Sequence, residues 1–221
     1  RLVRDWSSDV CSSDLFGDAE GRLDLQQADA LEAVWPADVT HIVANLPYQI
    51  SSPVLERIQR HHAEHPMAVV VLLPQEEFAD RMAIGRDRAA LSPLGLSLWL
   101  DFEVELDAKV PPHSFSPSPR VSSRLTSMRP VDREPGIDRR MFRTVTQHCF
   151  ANRRRKLRTL LSKPPSRIGR IKGWHKQRWS EAVNTVIQAS PEGLPEGWLD
   201  LRPENLETSQ WVSLVDAISS N

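Results

Sequence analysis

Cysteine is scarce in this 221-residue chain: Cys11 and Cys149 are the only two. Two thiols cannot make a disulfide framework or a Cys-rich zinc site. Long apolar runs are missing too. The longest, residues 67–73, is strand-sized and far short of the roughly 18 uncharged residues a membrane span requires. With no secretory signal pattern and so few thiols, the chain reads as cytoplasmic, with no membrane partner. Glycine is thin: there are nine in all, Gly17 and Gly21 stand isolated, and no Gly-x-Gly cluster lies near the start. Acidic residues vanish from one stretch, since residues 139–178 hold 14 Lys or Arg and no Asp or Glu. Residues 180–221 reverse this, with 7 acidic residues against Arg202 alone. A net charge of −1 therefore conceals a block holding half of the 28 basic residues. A solvated helix face usually mixes both signs, so the block implies a polyanion-binding surface.

What is present fits a globular chain, with 40% hydrophobic and 26% charged residues. The length suits one full domain plus a smaller one, enough to bury a core without covalent or metal staples. The opening residues carry a near-repeat, Ser7-Ser8-Asp9 and Ser12-Ser13-Asp14, with no helical or strand period. Residues 1–21 are set aside as a foreign or disordered leader. From residue 22 the pattern alternates. Strands are predicted at 23–27, 39–44, 67–73, 96–106 and 121–128, and helices from Ser52-Pro53 onward and over 75–82. This order predicts a doubly wound α/β sheet with helices on both faces. Residues 131–136 read as a turn-rich linker and Asp138 as the cap of a long helix over 139–161. That helix would carry Arg153, Arg154, Arg155, Lys156 and Arg158 at its far end. Shorter helices follow over 179–189 and 209–218. The division is thus an α/β domain over 22–130 and a basic helical domain over 137–221.

In open α/β sheets ligands bind beyond the carboxyl ends of strands, where Asn45-Leu46-Pro47-Tyr48 stands. These residue types suit methylation of an exocyclic amino group. The amino nitrogen of adenine is a poor nucleophile because its lone pair is delocalised into the ring. The Asn45 side-chain oxygen and the Pro47 carbonyl, held against its two N–H bonds, would favour a more tetrahedral nitrogen. Proline fixes the turn, and Tyr48 offers a ring face to a base taken out of its stack. Positioning and preorganised dipoles then do the work, without a strong general base. On these four residues alone, a plain turn after a strand remains the alternative.

The surrounding residues resolve that choice. Asn45-Leu46-Pro47-Tyr48-Gln49-Ile50-Ser51-Ser52-Pro53 resembles the signature of the ribosomal RNA adenine-N6 dimethyltransferase family. Phe115-Ser116-Pro117-Ser118-Pro119, within residues 110–123, resembles its second fingerprint, a Phe-x-Pro-x-Pro loop before a strand. Phe150-Ala151-Asn152-Arg153-Arg154-Arg155-Lys156-Leu157-Arg158 is similar to its basic helix, and Arg202-Pro203-Glu204-Asn205-Leu206 to the lead-in of its last helix. The resemblance covers residues 22–221. It implies a Rossmann-like, class I S-adenosylmethionine-dependent methyltransferase sheet, incomplete at the N-terminus, followed by a small all-helical domain.

By the same resemblance, Asp29 accepts from the adenine amino group of S-adenosylmethionine, and Asn45 touches cofactor and target base. Leu46 and Pro47 give backbone contacts to the cofactor. Tyr48 and Phe115 close the two faces of the target adenine. The implied reaction puts two methyl groups on each of two adjacent adenosines near the 3′ end of small-subunit ribosomal RNA. The implied partner is the immature small ribosomal subunit, met by a monomer through Arg120 and the basic residues 153–156 and 158. The family's first strand and glycine-rich loop should precede Asp29, and their glycines are not found. The chain is therefore expected to resemble an N-terminally truncated member that binds cofactor weakly and is inactive or weakly active, which calorimetry checks.

Two other functions compete: methylation of a large-subunit adenine of the antibiotic-resistance type, and a non-catalytic RNA-binding role in ribosome assembly. Other signals are set aside. His61, His62 and His65 lack partner ligands of known spacing, so no metal is expected. Cys149 reads as core, His148 as helix surface, and Trp174 and Trp179 as packing. Glu76 and Glu77, being adjacent, point apart on a helix.

Overall fold

A computed structural model describes residues 27–84 and 91–221. The chain divides into two compact units, Arg1–Trp35 and Pro36–Asn221. In the first, the described residues form a turn capped by Asp29, whose carbonyl accepts from Glu32 and Ala33 N–H at 3.0 and 2.8 Å. The leader and nearly all of the strand expected at 23–27 lie outside the described residues.

In the second unit, four strands make one mixed sheet: β1 (His41–Ala44), β2 (Val69–Leu72), β3 (Phe102–Val110) and β4 (Ser123–Pro130). The spatial order is β1-β2-β4-β3. β1 and β2 are parallel, with His41 opposite Val69 and Ala44 opposite Leu72. A parallel pair needs a crossover, and helix α1 (Ser51–Glu64) supplies it, burying Val54, Leu55 and Ile58. β4 runs antiparallel to β2 and to β3, with Val110 opposite Ser123. The carboxyl ends of β1, β2 and β3 and the start of β4 therefore share one end of the sheet.

Helix α1 begins at Ser51, preceded by a 3-10 turn over Tyr48–Ile50. Pro53 accordingly sits within the first turn rather than at its first position, where its missing N–H still costs nothing. Helix α2 (Glu76–Met82) follows β2 and buries Phe78 and Met82.

Residues 96–106 do not form one strand. Helix α3 occupies Pro93–Asp101, and β3 starts only at Phe102. Ser92 Oγ accepts from Gly95 N–H at 2.9 Å and Pro93 stands at the helix start, a strong cap. The alternating leucines mislead because this short helix is buried nearly all round, including Leu96, Leu98 and Leu100.

The expected helix over 139–161 is also broken. Helix α4 (Arg139–Phe150) ends in a turn, and α5 (Leu157–Leu161) restarts after it. Asn152 closes that turn, its carbonyl accepting from Arg155 N–H at 2.8 Å. Four consecutive cations would repel along a continuing helix surface, and Leu157 N–H instead donates to the Leu201 carbonyl at 2.9 Å. The cap is as read: Asp138 Oδ1 accepts from Arg140 and Met141 N–H, both at 2.9 Å.

Helices α6 (Lys176–Ala189) and α7 (Thr208–Ser219) complete the helical region. Its core takes Phe142, Val145 and Cys149 from α4, with Trp179, Trp211 and Ile218, and also Leu96 and Leu100 from α3. Trp179 is fully buried and donates its indole N–H to the Leu161 carbonyl at 2.9 Å. Residues 131–136 are pinned rather than loose, since Arg133 donates to the Trp99 carbonyl at 2.7 Å and pairs with Glu103. Among the described residues no helix is long and apolar enough to cross a membrane.

Candidate active site

The end of β1 sets the geometry. Leu73 N–H donates to the Ala44 carbonyl at 3.0 Å, the last rung between β1 and the strand beside it. The chain then leaves the sheet through Asn45-Leu46-Pro47, because a proline has no N–H to extend a ladder. Leu46 is buried and anchors the turn, while Asn45 and Pro47 face solvent. Pro47 adopts φ −56°, ψ 130°. Its carbonyl accepts from Ile50 N–H at 3.0 Å and Ser51 Oγ at 3.5 Å, so it is engaged inside its own turn. Among the described residues no backbone N–H donates to the Leu46 carbonyl, one residue earlier.

Tyr48, the chain's single tyrosine, is half-buried, and its hydroxyl hydrogen-bonds the Ser123 hydroxyl at 3.0 Å. Ser123 starts β4 and is 1% exposed. The segment after β2 is stitched to the same place, with Glu76 N–H donating to the Ser122 carbonyl and Arg124 N–H to the Pro74 carbonyl, both at 3.0 Å. Three segments distant in sequence, 45–48, 74–76 and 111–124, thus meet at one sheet end.

Phe115 lies in the loop between β3 and β4 at that end. It is half-buried, with its N–H donating to the Pro112 carbonyl at 3.2 Å, and Ser118 Oγ donates to the same carbonyl at 2.8 Å. The structure therefore brings Asn45, Leu46, Pro47, Tyr48 and the Phe115 loop to one end of the sheet. Sequence reasoning gave Ser123 no role, and 75 residues separate it from Tyr48. Asp29 belongs to the other unit. It is exposed, and its Oδ1 accepts from Leu31 N–H at 2.8 Å.

The basic candidates fall into three situations. Arg120 is exposed but lines, with Glu76, Glu77 and Asp80, a concavity of about 450 Å³. Those carboxylates offset its pull on a phosphate, although Glu76 itself pairs with Lys109 at 2.8 Å. Lys156 and Arg158 both pair with Asp200, Lys156 at 2.8 Å. The Lys156 hydrogen bond, then Arg158, holds the Asp200 carboxyl below its ordinary range. Arg153, Arg154 and Arg155 are exposed on the turn, and among the described residues no carboxylate pairs with them.

The signals set aside have structural roles. His62 Nδ1 accepts from Met67 N–H at 3.0 Å, closing the connection from α1 to β2, and burial lowers its pKa. His148 is half-buried, not simply on the surface, and hydrogen-bonds the Leu160 carbonyl at 2.9 Å. Cys149 is fully buried, which pushes its thiol up to about 12. Trp174 is 8% exposed and stacks under the Arg178 guanidinium at 4.5 Å. Among the described residues no group of three or more His, Cys, Asp or Glu could hold a metal ion.

Comparison with known proteins places this geometry. The model of the family described as Ribosomal RNA adenine dimethylase matches residues 10–171. A probable ribosomal RNA small subunit methyltransferase A from Methanopyrus kandleri is 32% identical over 200 residues. That alignment covers 90% of this chain but 66% of the relative, so the chain spans just under two thirds of that protein's length. Among solved structures, a dimethyladenosine transferase from Plasmodium falciparum superposes with a TM-score of 0.68 at 21% identity, over 86% of this chain and 70% of that one. The 23S rRNA methyltransferase ErmE superposes with a TM-score of 0.55 at 21% identity, over 97% and 80%. At that identity the two structures show the fold: a Rossmann-like methyltransferase sheet followed by a helical region.

Proposed function

The chain belongs to the ribosomal RNA adenine dimethylase family, and from that membership we propose that it serves S-adenosylmethionine-dependent N6-dimethylation of two adjacent adenosines in small-subunit ribosomal RNA. The observation that carries the reading is the Asn45–Tyr48 turn at the carboxyl end of β1. It is tied through Ser123 to the strand whose leading loop bears Phe115.

We assign the roles as follows. Tyr48 takes one face of an adenine drawn out of its stack, and Phe115 closes the other. The exposed Asn45 side chain accepts from the adenine amino group. With the Pro47 carbonyl engaged in the turn, the Leu46 carbonyl is the better placed second backbone acceptor. Two acceptors bias the nitrogen toward a tetrahedral shape and aim its lone pair. Burial of Leu46 and the Tyr48–Ser123 bond fix the turn before substrate arrives, which is where preorganisation contributes.

The cofactor the family implies is S-adenosylmethionine, which supplies an electrophilic methyl group when bound. In the second unit Asn45 would contact it. In the first unit a carboxylate has about four acceptor sites, so Asp29 retains acceptor capacity for an amino group while holding Leu31 N–H. The basic helical region over 137–221 docks the RNA, with Arg153, Arg154 and Arg155 among its available cations.

Labelled S-adenosylmethionine offered with purified small and large ribosomal subunits together tests the reading. Any label transferred should enter small-subunit RNA. Label confined to large subunits would favour the antibiotic-resistance type of activity. Binding of small subunits that survives both Tyr48→Ala and Asn45→Ala would favour an assembly role.

A further inference from the structure

A second basic surface lies apart from the Arg153–Arg155 turn. A concavity of about 510 Å³ opens between α1, α4 and the 3-10 turn Ile168–Arg170. Arg60 of α1, Arg140 of α4, Arg167 and Arg170 all line it, and all four are exposed. They come from three places in the sequence and converge on one hollow.

The acids on its walls are already committed. Asp101 Oδ1 accepts from Arg139 Nε at 2.7 Å, and Glu56 pairs with Arg143 at 3.4 Å. Gln59 is held as well, donating to Asp101 and to Ser97 at 3.2 Å and accepting from Arg143 at 3.3 Å. Among the described residues no carboxylate pairs with Arg60, Arg140, Arg167 or Arg170. Four uncompensated guanidiniums around one hollow repel one another unless an anion sits among them. Their planar forks match phosphate oxygens in geometry as well as charge.

The hollow continues into a second cavity of about 500 Å³, the two sharing Glu56, Gln59, Arg143 and Gln147. That second cavity is bounded by Ser52 and Pro53, the first helical turn beyond Tyr48. A polyanion lying along both would pass the turn that takes the base.

We infer that Arg60, Arg140, Arg167 and Arg170 form a second RNA phosphodiester-binding groove, separate from the Arg153–Arg155 turn and leading toward the Asn45–Tyr48 turn. The inference rests on RNA being the substrate, and adds where its backbone runs. One RNA held at two separate basic surfaces has its target strand oriented before a base leaves the stack.

The test measures binding of a fluorescein-labelled hairpin RNA by the full chain over a series of KCl concentrations. The variant R60Q/R140Q/R167Q/R170Q should flatten the log–log salt dependence by about 3, since each phosphate contact contributes roughly 0.7–0.9. Its affinity at low salt should fall more than tenfold. The lysine variant R60K/R140K/R167K/R170K, which keeps the charge, should restore most of the slope, and R153Q/R154Q/R155Q should reduce it independently. An unchanged slope in the groove variant, with the turn variant reduced, overturns the groove and leaves the RNA reading standing. Failure of the lysine variant to restore the slope also overturns it. If neither glutamine variant alters the slope, both the groove and the RNA reading fall.

Discussion

Replacing Tyr48 separates two jobs that the structure gives one side chain. Its hydroxyl holds Ser123 at 3.0 Å, and its ring is assigned to the target base. Tyr48→Phe removes only the first. Ser123 is 1% exposed, so its hydroxyl would lose this partner where water hardly reaches. A buried unsatisfied group costs about 1–3 kcal/mol. For a chain of this size each kcal/mol lowers Tm by about 2–4 °C. Adding Ser123→Ala removes the stranded hydroxyl, so the double variant should be no less stable than Tyr48→Phe alone. Tyr48→Ala removes the ring as well. Stacking of a base on an aromatic is worth about 1–3 kcal/mol, which is roughly a 5- to 150-fold loss in affinity. The assay compares Kd for an RNA with an unpaired adenosine against the same RNA abasic at that position. Tyr48→Phe should keep the preference for adenosine, and Tyr48→Ala should lose it by that factor. Equal preference in wild type and Tyr48→Ala would refute the stacking role. Equal losses in the Phe and Ala variants would show that the hydroxyl, not the ring, carries it.

Other consequences are as specific. Asp200→Asn should release Lys156 and Arg158, so RNA binding should tighten and its salt dependence steepen; weaker binding would contradict the pairing. Because the folded Asp200 carboxyl titrates below its unfolded value of about 3.8, the stability it contributes is fully present above that pH and lost as pH falls through the folded value. The difference between wild type and Asp200→Asn in urea melts should therefore be constant at neutral pH and shrink only in acid. Cys149, fully buried with its thiol raised to about 12, should resist iodoacetamide at pH 8 in a Cys11→Ser background and react only once urea unfolds the chain. Trp179→Ala should cost about 3–5 kcal/mol in denaturant unfolding, since it empties a core site and strands the Leu161 carbonyl.

Local signals were the legible ones. A proline three residues past an apolar strand marks a chain leaving a sheet, and Asn45–Tyr48 does so. Asp138 caps its helix, Cys149 and Trp179 are core, and the charge block is visible by counting. What misled was also local. Leu94, Leu96, Leu98 and Leu100 alternate like a strand, but Ser92 and Pro93 start a helix buried nearly all round, so its pattern carries no clear period. The helix expected through Phe150 stops there because Asn152 favours a turn and Leu157 is held by the distant Leu201 carbonyl. Beyond reach were contacts made by topology. Nothing near Tyr48 announces Ser123, and no run of charge joins Arg60 to Arg140 and Arg170. Only the parallel β1–β2 crossover and the packing of α4 bring such residues together.

The turn's role in transfer is tested most directly by incubating the protein with small ribosomal subunits and saturating labelled S-adenosylmethionine, then digesting the RNA for mass spectrometry. Any N6,N6-dimethyladenosine formed by the wild type should lie at two adjacent positions and be absent with Asn45→Ala. Equal, non-zero yield from the Asn45→Ala variant, or label on any atom other than an adenine amino nitrogen, would contradict the account.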